Sequence, residues 1–244
     1  MSTTTDAPLF GRSRRSSQPN LATGSTPLVR LAEAAADTVT STEAVAISRG
    51  FDRNSRQRAS SLRELLSEQG VTAVEVTPAS ASERLLAGTE VSAVINLVGA
   101  ASWQPCRLAA KLRAALLAPS EDGQASESRW DVIGVTGEDG HRDVALRRVA
   151  VLPEDFDNSS ITISRDDEPL SLPGGQVTVT PHEQLLHVHL QAPDFAAQTF
   201  TADTITVEAL GAAHRLIRDE LPIAELEGAL TFSAEPQGLL LRAV

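Results

Sequence analysis

The feature that most constrains this chain is a change of hydrophobic rhythm near residue 120. Before it, short apolar runs alternate with helical segments. After it, short strands recur between turn residues, with no long helical pattern. Strand–helix alternation implies parallel pairing through right-handed crossovers. Closely spaced strands with polar turns imply antiparallel structure. The expected class is therefore α/β, a three-stranded parallel layer followed by a β-rich antiparallel unit.

The first half can be read element by element. Ser25-Thr26-Pro27 is a helix start, since Ser or Thr caps and Pro tolerates the first helical position. Strands are expected at residues 44–48, 71–76 and 91–98. Helices are expected at 55–69, where Gly70 is the stop, at 78–87, and from Pro105 to 118, where Leu108, Leu112 and Leu116 repeat every four residues. The polar run SEDGQASES at 120–128 reads as a linker. Beyond it, strands are expected at 130–136, 144–152, 160–164, 176–180, 185–191, 204–210, 229–234 and 239–244, with 194–199 as one helical turn. The domain boundaries expected are a disordered tail at 1–26, an α/β region at 27–119, the linker at 120–128 and a β-rich region at 129–244. Three strands bury too little core alone, so the halves are expected to pack into one body.

A faint repeat runs through the second half. Gly175 and Thr178 follow Arg165-Asp166 at the same separations as Gly228 and Thr231 follow Arg218-Asp219. A duplicated hairpin and a chance match of two turn-then-strand units both fit.

Charge and composition exclude several functions. The chain has 21 basic and 32 acidic residues, a net charge of -11. Such a field repels phosphate backbones, so nucleic acid is not an expected partner. There is no Tyr, which removes any tyrosine acid or base. Cys106 is the one cysteine, so no intrachain disulfide forms. No apolar run approaches the roughly 20 residues of a membrane span. The Arg- and Ser-containing N-terminus lacks the apolar stretch of a secretory signal. A cytoplasmic location is the expectation.

Three segments resemble a known family. Thr23-Gly24-Ser25-Thr26 before a helix is similar to the glycine turn of the NAD(P)-binding Rossmann region in short-chain dehydrogenases and epimerase-like proteins. Residues 44–49, AVAISR, resemble that family's second strand. Residues 94–100, VINLVGA, resemble its fourth. The resemblance spans about residues 20–118. It implies an incomplete Rossmann-like layer and NADP as the cofactor. The site residues implied are Gly24, Ser25, Arg49, Arg53 and Gly99, with the arginines favouring a 2′-phosphate. The chain departs from the family at specific points. Pro27 and Leu28 stand where further glycines would let a pyrophosphate approach, and the family's catalytic Tyr-x-x-x-Lys cannot occur.

Other constellations have plainer readings. Gly137-Glu138-Asp139-Gly140 is similar to the GGDG loop of diacylglycerol-kinase-like lipid kinases, yet it sits between two strands and reads as a hairpin turn. His187 and His189 share one strand face, and His182 is near them in sequence. A metal needs a further ligand, so a solvated strand face is the reading. Cys106 near a helix start is a candidate low-pKa thiol, with His141 or His214 as bases, or a small core residue. The acidic runs at 154–158 and 166–168 lack calcium-loop spacing and read as loops. No catalytic or metal residue is assigned.

Two functions are expected. The first is a non-catalytic binding or assembly protein on a degenerate Rossmann-like half, with an unknown protein partner. The alternative is an NADP-binding protein or atypical oxidoreductase with a modified phosphate loop, its partner a small nucleotide.

Overall fold

The computed structural model describes residues 25–40, 42–77, 84–99, 102–120, 122–165, 168–226 and 228–244. In the first half, α1 (Ser25–Ala36) leads to β1 (Ala44–Ser48), α2 (Arg53–Glu68) and β2 (Thr72–Val76). A 3-10 turn (Arg84–Leu86), β3 (Val91–Asn96), α3 (Trp103–Leu112) and β4 (Ala115–Ala118) follow. The expected helix at 78–87 is present as that short turn, and residues 78–83 lie outside the described residues.

The apolar pattern decides which face each element buries. Leu31, Ala32 and Ala35 of α1 and Ala59, Leu62 and Leu66 of α2 pack on Val45, Ile47 and Ile95. Leu108, Ala109 and Ala110 of α3 pack on Ala46, Val94 and Leu116 from the other side. Strands covered on both faces read as continuous apolar runs, which is why all five residues of β1 are buried.

Here the structure corrects one expectation. The helix after Pro105 ends at Leu112, where Arg113 turns left-handed at φ 56. Ala115–Ala118 is instead β4. Leu116 and Leu117 are both buried, one on each face. A four-residue apolar repeat does not separate a helix from a doubly buried strand.

The second half supplies β5 (Ser126–Gly137), β6 (Arg142–Ala145), β7 (Val149–Pro153), β8 (Ser159–Arg165), β9 (Glu168–Pro173) and β10 (Gln176–His182). β11 (Leu185–Ala192), β12 (Phe195–Ala202), β13 (Thr204–Gly211), β14 (His214–Arg218), β15 (Leu221–Leu226) and β16 (Ala229–Ala243) complete it. The expected helical turn at 194–199 belongs to β12. The expected strand at 144–152 is two strands, broken at Leu146–Arg148. The last two expected strands are one, β16, bulged between Glu235 and Leu239.

Two sheets result. One runs β2-β1-β3-β4-β16-β13-β8-β9, with β5 on β16 and β6 on β5. The other runs β12-β11-β10-β7-β14-β15. The parallel layer is therefore not three-stranded. β4 pairs parallel with β3, and Leu241–Ala243 of β16 pair parallel with Leu116–Ala118 of β4. The C-terminal strand thus enters the first half's sheet, while its other end pairs with β13 in the β-rich half. Alternating residues such as Val149, Val151, Ile161, Ile163, Val207 and Phe232 fill the space between the two sheets.

The sequence repeat has a counterpart in this arrangement. Arg165 ends β8 before a tight turn into β9, and Arg218 ends β14 before a tight turn into β15. The next strand then crosses to the opposite sheet in both cases: β10 in one, β16 in the other. Asp166 lies outside the described residues.

Candidate functional site

In an open parallel sheet, ligands bind outside the carboxyl ends of the strands where the strand order reverses. Here β1 is followed by β2 on one side, and the chain then crosses to β3 on the other. The reversal lies between β1 and β3. Ser48 and Asn96 are in register at those carboxyl ends. Both are polar and buried, at 2% and 6% exposure. The Leu97 N–H donates to the Ser48 carbonyl at 2.8 Å and extends the ladder one step.

Asn96 then organises the loop. Its Oδ1 accepts the N–H groups of Val98 at 3.0 Å and Gly99 at 3.2 Å, and its Nδ2 donates to the Gly99 carbonyl at 3.3 Å. Gly99 has φ 118, which only glycine adopts readily. The Ser102 N–H donates to the Gly99 carbonyl at 3.2 Å, and α3 begins.

The two helices entered from these strands differ at their amino ends. At α2, Asp52 caps: its Oδ1 accepts the Ser55 N–H at 2.9 Å and its Oδ2 accepts the Ser55 hydroxyl at 2.6 Å. Those Ser55 bonds hold the Asp52 carboxyl below its usual range. A carboxylate already occupies the positive end of that dipole. At α3, Ser102 makes no side-chain cap bond. The first-turn N–H groups of a helix have no intrahelical acceptor, so an uncapped end is a ready anion site.

Beside Ser102, Trp103 is 42% exposed. Its ring lies 6.1 Å from that of Trp130, and the Arg147 guanidinium stands 5.7 Å over it. An exposed aromatic face and a cation thus border the loop.

The residues expected from sequence are placed as follows. Gly24 lies outside the described residues. Ser25 opens α1 and Arg53 opens α2. Arg49 follows Ser48 directly, but its Nε donates to Glu75 at 2.7 Å and its Nη1 to the Gly50 carbonyl at 3.1 Å. Gly99 is in the Asn96 loop. The switch point thus brings together Arg49 and Gly99 with Ser48, Asn96 and Ser102. Ser48, Asn96 and Trp103 were missed. The available signal was the single polar residue, Asn96, interrupting an otherwise apolar run.

The remaining candidates resolve locally. Burial raises the Cys106 pKa, so the thiol is not activated, and its Sγ is 4.0 Å from the Ser102 carbonyl. His141 meets Lys111 instead. The His182 and His187 rings are 5.9 Å apart, and His189 Nδ1 lies 3.2 Å from the Thr199 hydroxyl. Among the described residues no three His, Cys, Asp or Glu side chains form a metal-binding group. Gly137–Gly140 is the turn between β5 and β6, with the Gly140 N–H donating to the Gly137 carbonyl at 3.0 Å. No helix among the described residues is long and apolar enough to cross a membrane.

No family model matches the chain, and no curated protein matches it. One solved structure that aligns is an NAD kinase from Archaeoglobus fulgidus in complex with ATP. It shows 12% sequence identity, covers 81% of this chain and 92% of that one, and has a TM-score of 0.44. A likeness of that size carries no argument about ligand or activity.

The comparisons still correct two expectations. The short-chain dehydrogenase resemblance is not sustained, because the structure that aligns is an NAD kinase and not a dehydrogenase. The fold agrees with that correction, since the parallel layer closes on β16 of an antiparallel unit. Functions built on the resemblance fall with it. The aligned protein is an ATP-bound kinase, not an assembly scaffold. The Arg49 expected to meet an NADP 2′-phosphate is held by Glu75.

Proposed function

We propose that this chain binds a nucleotide, with a phosphate group at the amino end of α3 and the base against Trp103. The observation that carries this reading is the contrast between the two helix starts at the strand-order reversal. Asp52 fills one, while Ser102 leaves the other without a side-chain cap. Ser48, Asn96 and Gly99 shape the floor, and Trp103 offers a stacking face. Gly24, Ser25, Arg49 and Arg53 stay in the proposed site, with Arg49 entering it in its ion-paired state. Residues 27–119 form the ligand-bearing unit, and 129–244 the unit that closes its sheet.

The test is a thermal-shift titration with ATP, ADP, pyrophosphate and NADP. A ligand that binds only the folded state raises its stability in proportion to ln(1 + [L]/Kd). Saturable shifts with ATP and ADP are expected in the unsubstituted chain. Ser102→Asp supplies a better helix cap, so the ligand-free melting temperature holds or rises. Its carboxylate sits where the phosphate would, so the shift disappears. No saturable shift, an equal shift in Ser102→Asp, or a shift with NADP alone would overturn the reading.

A further inference from the structure

An edge strand exposes unpaired N–H and C=O groups, and folded proteins usually blunt such edges with charges, prolines or bulges. The edges of the two sheets can be compared directly. β2 carries Glu75, and β6 carries Arg142 and Asp143. β9 carries Glu168, Pro169 and Pro173, and the sequence of β15 includes Pro222 and Glu225. β12 is different. Its eight residues, FAAQTFTA, contain no charge, no proline and no glycine. It pairs only with β11, and its residues are exposed from Phe195 to Thr199, with Phe195 at 44%.

From this contrast we infer that β12 is the docking edge for a second copy of this chain, paired antiparallel about a two-fold axis. Charge argues for that occupant. The chain carries a net charge of -11, so most of its surface repels a second copy. β12 is an edge where two copies meet without charges opposed. Pairing of identical edges is self-complementary and consumes both of them, so the assembly closes at two chains. The far edge of the same sheet, β15, has a proline in its sequence, which cannot donate to a ladder. Continued growth is thereby blocked.

Light scattering coupled to gel filtration reads the mass across a concentration series. A dimer is expected in the unsubstituted chain. Ala197→Lys places a charge on an exposed edge position and is expected to give a folded monomer with unchanged circular dichroism. Hydrogen exchange supplies a second readout that needs no variant: amides of residues 195–202 should exchange more slowly at high protein concentration than at low. A monomer at every concentration overturns the inference. So does a dimer that persists in folded Ala197→Lys, an open-ended assembly, or exchange at 195–202 that ignores concentration.

Discussion

The Arg49 guanidinium is bound to the Glu75 carboxylate, Nε to Oε2 at 2.7 Å, and Arg63 reaches the other oxygen at 3.3 Å. Arg49 follows the last residue of β1, and Glu75 lies next to last in the neighbouring β2. The cation nearest the crevice is therefore already neutralised. Glu75→Gln removes the competing charge and leaves Arg49 free to meet an anion. Its affinity for ATP should rise about three- to tenfold, a change of roughly 1 kcal/mol. Calorimetric titration checks it. An affinity unchanged or lowered in Glu75→Gln would separate Arg49 from the site.

Asp219 locks the break between β6 and β7. Its carboxylate accepts the N–H groups of Leu146, Arg147 and Arg148 at 2.8 to 3.3 Å. Its own N–H donates to the Arg148 carbonyl at 2.9 Å, and its φ of 47 is left-handed. Asp219→Ala strands these donors and is expected to cost about 1–3 kcal/mol in urea unfolding. Asp219→Asn keeps an acceptor and tolerates the left-handed turn, so it should lose less. Equal losses in the two variants would show that the hydrogen bonds are not what matters.

His214 is fully buried in β14. Neither ring nitrogen has a hydrogen-bond partner at good geometry among the described residues. Burial lowers its pKa from the usual 6.5, against a weaker opposing pull from the Ala212 backbone. The unfolded chain then binds this proton more readily than the folded one. The contribution to stability is full above pH 6.5 and is lost as pH falls toward the depressed folded value. Urea midpoints measured from about pH 7 to about pH 5 should fall more steeply in the unsubstituted chain than in His214→Leu. Parallel slopes would contradict this.

Much of the first half was legible because its elements follow simple periods. β1 was read from residues 44–48, which are all buried. α2 was read from its leucine spacing and Gly70, which adopts φ 74 beyond the helix end. β4 was not legible, since its leucines continue a helical spacing and only Arg113 marks the break. β9 and β15 contain prolines that argue against strands, and both lie at sheet edges where prolines are tolerated. β12 lacks the strict alternation of a half-buried strand because most of it is exposed. The pairing of β16 with β4 joins residues far apart in sequence, and no local pattern encodes it. The same holds for the site. Asn96 stood out as a polar residue in an apolar run, but the Arg49–Glu75 pair depends on sheet order.

The central claim, a phosphate seated where α3 leaves the β3 loop, is tested most directly by mapping backbone amide resonances during an ATP titration. The account predicts saturable shifts concentrated at Val98, Gly99, Ser102, Trp103 and Gln104, together with a change at the Trp103 indole N–H. Shifts scattered over the β-rich half, or confined to the amino end of α2 at Arg53–Ser55, would contradict it.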